Sequence, residues 1–244
     1  MLTDSPSVDS SEVAKFARLA EQWWDPEGSF APLHRFNPIR LKLICDTAAA
    51  HFGRNIRKSQ PFQGLSLLDM GCGGGLLSEP MARVGFQVLG CDPAEENVGI
   101  AATHASHNAA PVSYRVASVE MLRTEQLTFD VVLAMEIIEH VPDVVGFLRA
   151  SAELVRPDGL IFVASINKTL KSLALAKIAA EYVLRWLPVG THDWNRFVTP
   201  ECVHEILAGA GLEGRTQGVS FNPLRWKWEL SNDCHVNYVV IGRR

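Results

Sequence analysis

LLDMGCGGG, residues 67–75, decides the fold. A short apolar run ends in Asp69-Met70 and breaks into a cluster of glycines. Gly71, Gly73 and Gly75 allow a tight turn and leave no Cβ in the way of a bulky ligand. Working outward, further short β-rich runs alternate with helical stretches: FQVLGC (86–91), VSYRVA (112–117), FDVVLAM (129–135) and GLIFVAS (159–165). Continuous apolar strands separated by helices predict a parallel sheet covered on both faces. Two more β-like runs, near Thr216–Phe221 and Val236–Ile241, follow a helix opened by Thr199-Pro200-Glu201. The expectation is an α/β, Rossmann-like, doubly wound and mostly parallel seven-stranded sheet, with a helical N-terminal extension and a helical insertion after strand five.

The division expected along the chain is a frayed tail over 1–11 and a single domain over 12–244. Within that domain, 12–60 form the N-terminal extension and 168–198 an insertion that lids the site. FARLAEQWW (16–24) has helical spacing and is stopped by Asp25-Pro26-Glu27-Gly28; a second helix is expected over Pro38–His51, capped by Asn37. A net charge of -4 supplies no general reason to bind nucleic acid. The five cysteines are scattered without a CxxC pair, which points to reduced thiols rather than a disulfide framework or a zinc site. The polar start lacks signal-peptide character, and no uncharged apolar run reaches membrane-spanning length, so a cytoplasmic location is expected.

At the carboxyl end of the first strand of an open parallel sheet, ligands bind. The spacing G-x-G-x-G, with Leu76 next, breaks the dinucleotide fingerprint. Asp69 ahead of the loop opposes phosphates and suits a ligand carrying an ammonium group. Asp92, ending VLGCDP, is placed to accept hydrogen bonds from two ribose hydroxyls, or to cap the helix after Pro93. An adenosine, an ammonium and no pyrophosphate together describe S-adenosylmethionine. Through the loop, the acid, and the later runs FDVVLAMEIIEHV and LVRPDGLIFVAS, the chain resembles class I methyltransferases. That resemblance places Val119 and Glu120 beside adenine and Met135 at the pocket wall.

Outside this core, FARLAEQWWDPEGSFAPLHRFNPIRL, GTHDWNRFVTPE (190–201) and FNPLRWKWELSNDCHVNY (221–238) are similar to the ubiquinone-biosynthesis O-methyltransferases, over nearly everything from Phe16 to Tyr238. The departures are Pro93 after the ribose acid and Phe221 where a tyrosine is common. The resemblance implies methylation of phenolic hydroxyls on polyprenylated phenol or quinol rings, at both O-methylation steps of the pathway. It also implies cofactor contacts at Arg40, Gly71, Asp92 and Met135, to which the residues themselves add Asp69 and Gly73. A guanidinium at Arg40 suits a carboxylate, which it can grip through two hydrogen bonds.

A phenol ionises near pH ~10, so activation by a base or a metal is required. Glu136, Glu139 and His140 follow the fourth strand. They form a candidate ligand set for Mg²⁺ or another divalent cation, which the family is described as using. The alternatives are His140 or His192 as general base, or Glu139 and His140 merely capping a turn. KTLKSLALAKIAAEYVLRWLP (168–188) is basic and apolar. It suits a helix lying on a membrane surface, giving a peripheral location at the inner face, or one packed on the domain. Membership of a biosynthetic complex is a further expectation, and a noncatalytic cofactor-binding subunit is the rival outside the enzymes.

Overall fold

A computed structural model describes residues 7–169, 172 and 196–244. The chain begins with α1 (Ser10–Ala17), a 3₁₀ turn at Ala20–Gln22 and α2 (Ala31–His51). Alternation then sets in: β1 (Ser66–Met70), α3 (Ser78–Arg83), β2 (Gln87–Asp92), α4 (Glu95–His107), β3 (Val112–Val116), α5 (Val119–Thr124) and β4 (Phe129–Met135). A 3₁₀ turn at Ile138–His140, α6 (Val144–Glu153) and β5 (Val155–Ile166) follow. After the insertion come α7 (Pro200–Gly209), β6 (Glu213–Asn222), β7 (Lys227–Ser231) and β8 (Asn237–Arg243).

These strands make one sheet of order β3-β2-β1-β4-β5-β8-β6-β7. β1 to β5 are parallel, while β8 runs antiparallel between β5 and β6. The order reverses between β1 and β4, which opens a crevice at the carboxyl ends of those two strands. The core lies on both faces of the sheet. Leu68, Val132, Val163 and Val240 pack with α6 and α7 residues on one side; Leu67, Val131, Phe162 and Ile241 pack with Phe36, Leu43 and Ile44 of α2 on the other. Strands buried on both faces have no polar face to show, which is why they read as unbroken apolar runs.

The sheet has eight strands, one more than expected. The additional one, β7, pairs with β6 alone among the described residues, and its Lys227 and Leu230 are exposed with Trp228 and Glu229 half-buried between them. A charged edge strand carries no apolar run to announce it. Two boundaries also shift. α2 starts seven residues before Pro38, which lies inside the helix, and Pro32 takes the first-turn position that tolerates a missing N–H. Asn37 caps nothing; its amide donates to the Leu76 carbonyl (2.7 Å). Residues 7–11, read as the end of a frayed tail, instead start the fold. Asp9 caps α1 by accepting from Ser11 N and Glu12 N, and Ser7 is buried. All five cysteines are free thiols. The lid expected within 168–198 and its membrane-surface stretch lie outside the described residues, apart from Lys168, Thr169, Ser172 and residues 196–198.

Candidate active site

The glycine loop crosses the end of β1 with Gly71, Gly73 and Gly75 at φ of 65°, 52° and 89°. Close approach matters as much as conformation. A Cβ on Gly71 would overlap the Ile137 side chain, and one on Gly73 would overlap the ring of Trp23. Trp23 stacks on Phe30 (3.7 Å between centroids) and donates from Nε1 to Asn97 Oδ1 (2.9 Å). Trp24 donates to the Gly74 carbonyl (2.8 Å) and stacks on His104, whose Nδ1 lies 2.7 Å from the buried Glu79. The WW pair of the N-terminal extension therefore braces the loop from outside.

Asp92 ends β2 and is held by three protein donors. Gly73 N reaches Oδ2 (3.0 Å), while Ala94 N (2.9 Å) and Asn97 Nδ2 (3.1 Å) reach Oδ1. Burial raises its carboxyl above the ordinary value despite these bonds. Asp69 is buried and accepts from Ser78 Oγ (2.6 Å). Burial pushes it up to about 6, against the pull of Ser78 and Arg40. Arg40, one face of α2, is 4% exposed and donates from Nη2 to Asn37 (3.1 Å). Among the described residues its Nε has no hydrogen-bond partner, although Glu136 and Asp69 offset its charge. A buried, half-satisfied guanidinium at the glycine loop is a receptor for a carboxylate.

Beyond Gly71 a cleft open to solvent is lined by Ser7, Val8, Gly71, Pro93, Val119 and Ile137 among others. Val119, expected beside adenine, is one of the residues lining this cleft. Glu120 does not face the cleft freely: its carboxylate accepts from Ser7 N (3.2 Å) and Ser7 Oγ (2.9 Å). Met135 is buried in the apolar cluster on the α2 side, with Phe36 and Leu77, and does not line this cleft.

After β4 the backbone turns sharply at Glu136, a non-glycine residue at φ 58°. Such conformations are costly and gather at functional sites. Burial first, then the neighbouring Glu139, push the Glu136 carboxyl up to about 7. Glu139 is buried and accepts from Ser165 Oγ (3.0 Å). His140 Nδ1 lies 2.9 Å from Glu12 Oε2, and Phe16 meets its ring edge-on (5.0 Å). Ile138–His140 form a 3₁₀ turn rather than an α-helix, and Glu139 and His140 are each engaged elsewhere, by Ser165 and Glu12. Among the described residues no group of three His, Cys, Asp or Glu side chains is placed to hold a metal ion in this arrangement. His192 lies outside the described residues.

Sequence reasoning missed Glu12, Trp23, Asn97 and Ser7. Only the WW doublet carried a signal, since two adjacent tryptophans need a large surface to cover.

Comparison with known proteins sets this geometry in context. A family model described as a methyltransferase domain matches residues 45–217. The ubiquinone biosynthesis O-methyltransferase of Sinorhizobium medicae (strain WSM419) is 53% identical over 244 residues, covering 99% of this chain and 98% of that protein. Its counterpart in Caulobacter vibrioides (strain ATCC 19089 / CIP 103742 / CB 15) is 53% identical over 237 residues, covering 96% and 94%. Among solved structures, magnesium protoporphyrin IX methyltransferase from Synechocystis PCC 6803 with bound SAH superposes with a TM-score of 0.68 at 18% identity, covering 97% of this chain and 100% of that one.

Proposed function

The chain belongs to the ubiquinone biosynthesis O-methyltransferases, and from that premise we propose how its own residues perform the reaction. It is a methyltransferase that acts on oxygen, with S-adenosylmethionine as methyl donor. The substrates we infer are polyprenylated phenols and quinols, methylated at both O-methylation steps. The observation that carries the cofactor assignment is the buried Nε of Arg40 beside the glycine loop, unpaired among the described residues.

When bound, S-adenosylmethionine supplies a methyl group made electrophilic by its sulfonium. Arg40 holds the methionine carboxylate, and the Asp69 side of the loop favours the ammonium. Asp92, already fixed by Gly73, Ala94 and Asn97, accepts from a ribose hydroxyl through the acceptor site those three donors leave unused. Val119 and the cleft walls pack on adenine. With the donor so fixed, much of the rate comes from holding oxygen, carbon and sulfur in line.

His140 is the base. Its Nδ1 faces the Glu12 carboxylate, which selects the tautomer whose Nε2 can take a proton. Nε2 of His140 would take the phenolic proton, and bound S-adenosylmethionine would supply the methyl group that the oxygen receives. One observation favours a second reading. Glu136 and Glu139 hold like charges close together beside His140, and a divalent cation would relieve them. As placed, Glu139 and His140 turn to Ser165 and Glu12 instead, so the residues do not fit a cation in this conformation.

The test is methyl transfer from labelled S-adenosylmethionine to a short-chain demethylubiquinol, with EDTA and with Mg²⁺ restored, in wild type and His140→Gln. Activity indifferent to EDTA and reduced by about 10²–10⁴ in His140→Gln is the expected result. Activity abolished by EDTA and recovered with Mg²⁺ would move activation to a cation at Glu136, Glu139 and His140. No product with either protein would overturn the substrate assignment.

A further inference from the structure

The glycine loop is held at two adjacent carbonyls, and the two holds meet again away from the cleft. Trp24 donates to the Gly74 carbonyl (2.8 Å). The next carbonyl, that of Gly75, accepts from Glu79 N (3.1 Å), which ties the loop to α3. The Glu79 side chain then reaches α4, where His104 Nδ1 lies 2.7 Å from Oε1. The His104 ring completes the circuit by stacking on Trp24, with 3.4 Å between centroids and 7° between planes. Loop, α3, α4 and N-terminal extension thus form a closed ring of contacts that begins and ends on neighbouring glycines.

The polar link in this ring is costly to break and adds little when whole. The Glu79 side chain is 3% exposed and that of His104 30%. Desolvation cancels most of the attraction in such a pair, whereas removing one partner strands the other. Arg83 stands 3.8 Å from Oε2 with its own side chain half in solvent, beyond hydrogen-bond reach. What the pair does fix is direction. A carboxylate only accepts, so Nδ1 carries the hydrogen and the plane of the imidazole is set. With that plane set, the ring lies flat on the indole whose N–H meets Gly74.

The same helix extends the effect to Asp92. Asn97 and His104 are seven residues apart on α4, two turns, and share a face. Trp23 meets the first through Nε1 (2.9 Å), and Trp24 stacks on the second. Asn97 Nδ2 in turn donates to Asp92 Oδ1 (3.1 Å).

We propose that Glu79 and His104 are positioning residues for S-adenosylmethionine, acting through Trp24 on the glycine loop and through α4 on Asp92. Neither lines the cleft, so their effect falls on the fit of the cofactor and not on the reacting atoms. The proposal rests on the cofactor reading and is tested apart from it.

The experiment measures S-adenosylhomocysteine binding by calorimetry, and cofactor KM and kcat with saturating short-chain demethylubiquinol. Wild type is compared with His104→Phe, Glu79→Leu and Glu79→Gln. His104→Phe keeps a ring over the indole and loses the donor; Glu79→Leu loses the acceptor; Glu79→Gln keeps an acceptor for Nδ1. Expected in the first two are increases on the order of tenfold in Kd and cofactor KM, with kcat within about twofold of wild type. Glu79→Gln should recover most of the loss. A lowered Tm with Kd and KM unchanged would overturn the proposal, because the pair would then serve stability alone. So would a fall in kcat at unchanged KM, or Glu79→Gln as impaired as Glu79→Leu. Should His104→Phe and Glu79→Leu fail to fold, Trp24→Phe keeps the stacked ring and removes only the bond to Gly74. Wild-type affinity in that variant would also overturn the proposal. Wild type that binds no S-adenosylhomocysteine would sink the cofactor reading with it, whereas variants that match a binding wild type sink the proposal alone.

Discussion

Glu136 is held at a costly backbone angle with its carboxyl raised to about 7. In the unfolded chain the same group ionises near its ordinary value of 4.5. The fold thus binds this proton more tightly than the unfolded chain, and its stabilisation is complete below the unfolded value and fades as pH rises through the folded one. Replacing Glu136 with Gln should therefore raise Tm relative to wild type at about pH 8, with the advantage shrinking toward about pH 5. A constant difference between the two, followed by calorimetry without cofactor, would show that the carboxyl is not raised. At this scale the sequence disclosed residue types better than partnerships. Asp69 and Asp92 stand out because their motifs are local, whereas Arg40 and Val119 are named only through the resemblance. Glu12 with His140 and Ser7 with Glu120 do not, because each pair is more than a hundred residues apart and neither residue is unusual alone.

The glycine loop is legible as an element; what presses on it is not. Its turn and its place after β1 follow from spacing and chain order, whereas Trp23 arrives from an extension outside the repeating strand–helix pattern. Gly73→Ala combines a positive φ with a collision against that indole. The expected cost is about 1–3 kcal/mol of stability, with weaker cofactor binding as Trp23 is displaced and Asn97 loses its partner. Urea denaturation and titration with S-adenosylhomocysteine measure the two effects. A variant as stable as wild type would mean the indole moves aside freely. β7 and the first turns of α2 stayed hidden for opposite reasons. One is an edge with no apolar signature, and the other a helix that runs through its proline because packing of Phe36, Leu43 and Ile44 outweighs a missing N–H.

Across the whole molecule, the residues assigned to the cofactor come from α2, β1, β2 and α5, elements that otherwise meet mainly through the sheet. A ligand touching all of them should stabilise the protein cooperatively. At a concentration a hundred times its Kd, S-adenosylhomocysteine is expected to add ~2.7 kcal/mol, or about 5–10 °C in Tm for a domain of this size. Two separate melting transitions, only one of them shifted, would show that the elements do not behave as one unit. The parallel half of this architecture was readable from the strand–helix alternation, and the antiparallel end was not, because strand order there departs from chain order. That departure has a consequence for biogenesis. β8 lies between β5 and β6 although it is made after both. On the ribosome, the β6–β7 hairpin has no place in the sheet until β8 has emerged and inserted beside β5. The β6–β7 hairpin is therefore the last part of the sheet to be fixed in position, after the parallel half that carries the glycine loop.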